Sequence, residues 1–111
     1  MTTKNRTIGT LLTTSNQDAY VVPTNYKAEV GSILINNSTA STVTLTMDWL
    51  DVASGVYTKI ASTTPIYPYS MVQITTPLHL TAGDKIRALA SANSAISVSV
   101  DVNELYVPTI L

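Results

Sequence analysis

Few residues in this chain could do chemistry, and they are scattered. The lone histidine, His79, sits between Leu78 and Leu80. A catalytic histidine needs a nucleophile and an orienting acid, and no signature such as Gly-x-Ser-x-Gly surrounds any serine. His79 therefore reads as a strand residue at a sheet surface. The chain has no cysteine, which removes disulfides, thiolate-bound zinc and cysteine nucleophiles. With one histidine, a transition-metal site would need a cluster of carboxylates, and none is grouped along the chain. Asp48 and Asp51 flank Trp49 and Leu50, and Asp84 follows Gly83. Calcium loops alternate oxygen ligands around a glycine, a run that is missing here. Asp84 is thus expected to cap a turn and Asp48 to lie on a solvated face. Gly83-Asp84-Lys85 lacks the flanking glycines and the following Ser or Thr of a phosphate loop. A glycosidase carboxylate pair is compatible with the spacing alone, although so short a chain would offer a sugar only a small pocket. No catalytic residue, metal ligand or cofactor-binding residue is assigned, and no cofactor or small-molecule substrate is expected.

The aromatic residues are one Trp and six Tyr, without Phe. Trp49 is in phase with Val43, Leu45 and Met47, which points to a core position. Tyr67 and Tyr69 straddle Pro68 in a connection and are expected to be exposed. Tyrosines in loops bury much area at low entropic cost, so this pair is a candidate protein interface. The last residues form a second one. Leu105, Val107, Ile110 and Leu111 no longer alternate with polar residues, and Pro108 removes the backbone donor a central strand would need. Exposed, they would make a sticky patch. The expectation is a tail that packs on a neighbouring subunit or on the surface of a larger assembly; the competing reading folds it back onto its own domain.

The elements that position these residues are strands. Ile96, Val98, Val100 and Val102 alternate with Ser97, Ser99 and Asp101, and Val43, Leu45, Met47 and Trp49 alternate with Thr42, Thr44, Thr46 and Asp48. Period two with many β-branched residues favours strand over helix. No window carries a helical apolar stripe. Turn signals at residues 36–41, Ala53-Ser54-Gly55, Pro65 to Pro68, Ala82-Gly83-Asp84 and Asn93-Ser94 cut the chain regularly. The strands expected are 7–12, 19–22, 29–35, 42–51, 56–62, 71–75, 85–91 and 96–104. About eight short strands with hairpin-length links predict an all-β antiparallel sandwich, of jelly-roll or immunoglobulin-like order. The domain is expected over 7–104, between a flexible N-terminal arm (1–6) and the apolar C-terminal tail (105–111). Val43, Leu45, Trp49, Ile86, Val98 and Val100 are expected in one core.

At 111 residues the chain is the size of one domain, long enough to bury about two-thirds of its unfolded surface. Six basic residues balance seven acidic ones, with no basic stripe to capture nucleic acid. Only 12% of residues are charged, about half the usual share. So weakly charged a surface opposes association poorly and suits a protein covered by neighbours. The first residues are polar, no apolar run of signal-peptide length follows, and nothing approaches the roughly 18 apolar residues of a membrane span.

The order of motifs resembles a known family. Val21-Val22-Pro23 closes a strand; Ala28-Glu29-Val30-Gly31-Ser32-Ile33-Leu34-Ile35-Asn36-Asn37 follows, then Thr42-Val43-Thr44-Leu45 and a Gly-containing hairpin. Next come Pro77-Leu78-His79-Leu80-Thr81-Ala82-Gly83-Asp84-Lys85-Ile86 and an alternating strand ending near Glu104. From about Ala19 to Glu104 this is similar to the small β-sandwich virion proteins of tailed bacteriophages, which serve as capsid decoration, neck or tail accessory subunits. Leucine followed by Ala-Gly-Asp and Ile is its most specific element. Tyr67-Pro68-Tyr69 stands where that pattern has a compact Pro-Ala-Gly turn, so contacts there are expected to be particular to this protein. The resemblance implies a non-enzymatic structural role, self-association into a symmetric homo-oligomer (a trimer is one candidate), docking onto other virion proteins, and synthesis in a host cytoplasm. A carbohydrate-binding module, stacking sugars on Tyr67, Tyr69 or an exposed Trp49, is the alternative; a small glycosidase is a distant third.

Overall fold

A computed structural model describes residues 3–108. It contains nine strands: β1 (Thr3–Leu11), β2 (Gln17–Val21), β3 (Tyr26–Asn37), β4 (Val43–Asp51), β5 (Val56–Ile66), β6 (Met71–Ile74), β7 (Leu78–Leu80), β8 (Lys85–Ala90) and β9 (Ile96–Tyr106). They form two antiparallel sheets. One has the order β1-β9-β3-β6, with β7 beside β6 on the same edge of β3; the other has the order β2-β8-β4-β5. Partners are nested along the chain: β1 with β9, β2 with β8, β3 with β6 and β7, and β4 with β5. A long hairpin wrapped into two sheets gives this nesting, and it is the jelly-roll order rather than the immunoglobulin one.

The core lies between the sheets. Val43, Leu45, Ile86, Val98 and Val100 are buried in it, together with Val30, Ile33, Ile35, Met47 and Ile96. Each full burial of such a side chain is worth about 1.5–3 kcal/mol. Trp49 keeps the expected phase but is only half-buried. It packs at the rim of the sandwich, beside Ile33, Ile60, Ile74 and Leu78.

Several strand limits differ from the sequence expectation. β1 begins at Thr3, inside the segment expected to be a flexible arm. Residues 3–6 are polar and show no apolar alternation, and only the ladder that begins at Thr3↔Leu105 extends the strand expected over 7–12 back to Thr3. β9 continues to Tyr106, so Leu105 belongs to the sheet and not to a tail. Asn36 and Asn37 end β3 rather than opening a turn. Asn37 is fully buried, and its Nδ2 donates to the carbonyls of Ser41 and Ile66 at 2.8 and 2.9 Å. β5 runs through Pro65 to Ile66, as an edge strand can, because a missing donor there breaks no ladder bond. Within β3 the pairing shifts at Gly31, so the inward residues change from Ala28 and Val30 to Ile33 and Ile35.

Candidate protein interface

The two candidate interface segments sit at opposite ends of the molecule. In the β3–β9 ladder Asn37 pairs with Ile96 at one end and Tyr26 with Tyr106 at the other. At about 3.3 Å per residue the run of β9 from Ile96 to Tyr106 separates these ends by roughly 33 Å. The molecule measures 54 × 26 × 21 Å overall.

At the first end, buried Ile66 anchors the exit from β5, and the chain then turns outward. Tyr69 adopts a left-handed backbone, φ 52°. The Ser70 hydroxyl donates to the Tyr67 carbonyl at 2.6 Å, the Tyr69 amide to the Thr39 carbonyl at 3.1 Å, and the Asn37 amide to the Ser70 carbonyl at 3.0 Å. The backbone is thereby fixed while the side chains point away: Tyr67 is 64% exposed, Tyr69 73% and Met71 65%. Neighbouring connections join this loop in one surface. Thr14 N–H donates to Asn93 Oδ1 at 3.0 Å, Ser94 N–H to the Leu12 carbonyl at 3.0 Å, and Ser38 N–H to the Ala95 carbonyl at 3.2 Å. Residues 12–16, 38–42, 67–70 and 91–95, the four connections at this end, contain no Asp, Glu, Lys, Arg or His. It is an uncharged cap of Ser, Thr and Asn with protruding tyrosines.

The opposite end is organised around Asp84, which caps its turn as expected. Its carboxylate accepts the Thr81 amide at 2.9 Å, the Thr81 hydroxyl at 3.1 Å and the Val52 amide at 2.9 Å, and its own carbonyl accepts the Val22 amide. Here Leu105 is half-buried on the outer face of its sheet and Val107 is exposed, its amide donating to the Asn25 carbonyl. Ile110 and Leu111 lie outside the described residues. Tyr106 rests on Tyr26 with ring centroids 5.4 Å apart. A shallow groove of about 370 Å³, lined by Thr24, Tyr26, Lys27, Thr81, Ala82 and Val107, opens beside them.

Of the polar residues weighed for chemistry, Asp48 and Asp84 tie elements of the fold together. His79 is exposed on β7, its Nδ1 3.7 Å from Glu29. Asp48 corrects the expected solvated face: it is buried. β4 is a central strand, so Asp48 faces Arg87 on β8 and Lys59 on β5 at once. Arg87 Nε donates at 2.7 Å and Lys59 Nζ at 3.3 Å, while the Tyr57 ring covers the guanidinium at 3.5 Å. Burial opposes the charge on Asp48, but the Arg87 and Lys59 hydrogen bonds outweigh it and hold the carboxyl below its usual range. Among the described residues no three His, Asp or Glu side chains gather as metal ligands would.

Sequence reasoning missed Glu104, which is fully buried. The Tyr20 hydroxyl donates to it at 2.5 Å, Arg6 Nη1 at 3.2 Å, and Lys4 Nζ lies 3.7 Å away. Burial again opposes ionisation, and the Tyr20 and Arg6 hydrogen bonds with the two cations hold the carboxyl below its usual value. Tyr20 moves the opposite way, raised first by burial and then by the Glu104 carboxylate. The signal was present, since Glu104 continues the inward series Ile96, Val98, Val100, Val102.

No family model and no curated protein matches this chain. Among solved structures it is similar to one described as Bacillus endospore appendages forming a family of disulfide-linked pili: TM-score 0.56, 12% identity, covering 96% of this chain and 88% of that one. A pentameric capsid protein from metagenomic phage sequences gives TM-score 0.43 at 19% identity, over 86% of this chain and 59% of its own. The likeness to the appendage subunit is one of fold, and it extends over nearly the whole chain.

Proposed function

We propose that this chain is a non-enzymatic assembly subunit of a bacteriophage particle, a capsid decoration or a neck or tail accessory protein, acting through contacts with copies of itself and with other virion proteins. The observation that carries this reading is the uncharged cap with Tyr67, Tyr69 and Met71 standing out from a pinned backbone. Interface cores are depleted in charge and enriched in Tyr and Met, and a loop ordered in advance loses little entropy on binding. Ser, Thr and Asn around rigid tyrosines are the mixture that binding loops use to adapt to a partner. The motif order from Ala19 to Glu104 supports the phage setting. The Bacillus appendage subunit is a structural protein with a comparable fold, in pili linked by disulfides. Without cysteine, this chain would assemble by non-covalent contacts alone.

Mass spectrometry of purified virions tests the placement, and the expected result is recovery of the chain at a fixed ratio to the major capsid or tail protein. Replacing Tyr67→Ala and Tyr69→Ala together is expected to remove it from the particles while the purified variant stays folded. Absence of the wild-type chain from virions would overturn the reading. Glycan titrations that change its Tyr and Trp fluorescence would favour the carbohydrate-binding alternative instead.

A further inference from the structure

Two unlike sets of contacts hold β1 along its length. Lys4, Arg6, Ile8 and Thr10 turn to one side, in phase with the fully buried Leu12. From Ile8 onward that side is anchored: Ile8 packs against the core, and the Leu12 amide donates to the Ile96 carbonyl at 2.8 Å. Before Ile8 it carries two cations, and both reach Glu104. Residues 3–6 are exposed and lie on a sheet edge, with β9 as their strand neighbour. We infer that residues 3–6 form a strap latched by the Glu104 carboxylate. It opens when that charge is lost, while the domain from residue 7 onward stays folded.

The carboxylate is divided between its neighbours. Oε1 faces β1, 3.2 Å from Arg6 Nη1 and 3.7 Å from Lys4 Nζ. Oε2 accepts from the Tyr20 hydroxyl of the other sheet at 2.5 Å, with Arg6 Nη1 farther off at 3.4 Å. Asp18, on the same strand as Tyr20, pairs with Lys85 instead. On β3 the ladder sets Ala28 beside Glu104, and Lys27 and Glu29 alternate to the opposite face. The Tyr26 ring lies 4.9 Å from Lys4 Nζ and packs against Tyr106. A proton taken up on Oε1 turns an acceptor into a donor that faces only donors, since Arg and Lys accept no hydrogen bond. Oε2 still accepts from Tyr20, so the tie between the sheets survives. The two cations, already nearly half exposed, then turn to water. Residues 3–6 are left as a terminal stretch of ladder with no buried side chain, the kind of segment that opens locally at little cost. The folded carboxyl titrates below its usual value, so the latch is closed at neutral pH and opens only in acid. Opening bares the β9 edge from Val102 to Leu105.

Hydrogen exchange of single amides, read by NMR as protection factors, tests the latch. Because the Leu12 amide bonds to β9, the alternation of an antiparallel ladder turns the Lys4, Arg6, Ile8 and Thr10 amides to β9 as well. All four are expected to be protected in the wild type at pH 7. In Glu104→Gln at pH 7, Lys4 and Arg6 should lose roughly tenfold or more and approach the free rate, while Ile8 and Thr10 stay strongly protected. In the wild type the same two amides should be the first of the four to lose protection as the pH falls. If Glu104→Gln does not fold, Lys4→Gln with Arg6→Gln keeps the Glu104–Tyr20 bond and is expected to free the same two amides. Lys4 and Arg6 amides as protected in the folded variant as in the wild type would overturn the latch. Loss at all four amides by one common factor would do the same, because it is a loosening of the whole domain. Exchange of Lys4 and Arg6 at the free rate in the wild type at pH 7 would also sink it.

Discussion

Substituting Glu104→Gln removes a fully buried carboxylate while keeping its shape. In the native protein the Tyr20 hydroxyl, Arg6 and Lys4 all converge on it. The amide can still accept from Tyr20, so the loss is the difference between a charged and a neutral acceptor plus two ion pairs. A hydrogen bond to a charged group contributes about 1.5–3 kcal/mol against roughly 1 for a neutral one. Lys4 and Arg6 have side chains nearly half exposed, so they rehydrate when the charge goes, and their share is discounted to below about 1 kcal/mol. The expected cost at neutral pH is about 1–3 kcal/mol. Glu104→Ala should cost more, about 3–4 kcal/mol, because it adds a cavity and leaves the buried Tyr20 hydroxyl without its partner. The pH dependence is the sharper test. The folded carboxyl titrates below its unfolded value of about 4.3. Its stabilisation is therefore complete above that value and is lost as pH falls through the lower, folded one. Urea unfolding of wild type and Glu104→Gln between pH 7 and pH 2 should show a gap that is constant at first and closes in acid. A gap absent at pH 7, or one unchanged across the acid range, would refute a buried, ionised Glu104.

Trp49→Ala is expected to cost about 2–3 kcal/mol by chemical denaturation, less than the ~3–5 of a fully enclosed tryptophan, because the ring is half-buried at the rim. Asp84→Ala leaves the Thr81 and Val52 amides without acceptors; a loss of about 2–4 kcal/mol and faster hydrogen exchange at those two amides are expected. A chelator should leave the thermal midpoint unchanged, and a drop of many degrees would point to a divalent cation among the carboxylates. Deleting residues 107–111 should leave the circular dichroism spectrum intact while weakening self-association in sedimentation velocity.

Alternation in sequence carried the fold class because the sheet period is local. Val43 to Trp49 and Ile96 to Val102 declare their inward faces without reference to any partner, and Gly83-Asp84 declares its turn through φ and side-chain capping. The protruding Tyr67-Pro68-Tyr69 loop was legible for the same reason, since proline and its neighbours settle a connection on the spot. The tertiary structure decided what depends on pairing. The first residues of β1, Thr3 to Arg6, are polar and become strand only because β9 offers them a ladder. Asp48 looks solvated along β4 and is buried because β8 and β5 bring Arg87 and Lys59 to either side of it. Glu104 continues an apolar series, and only the approach of Tyr20, Arg6 and Lys4 makes a charge tolerable there. The separation of the tyrosine cap from the Val107 end follows from strand direction and register as well. Such pairings join residues as far apart as Thr3 and Leu105, where a local period carries no information and close packing between sheets makes the choice.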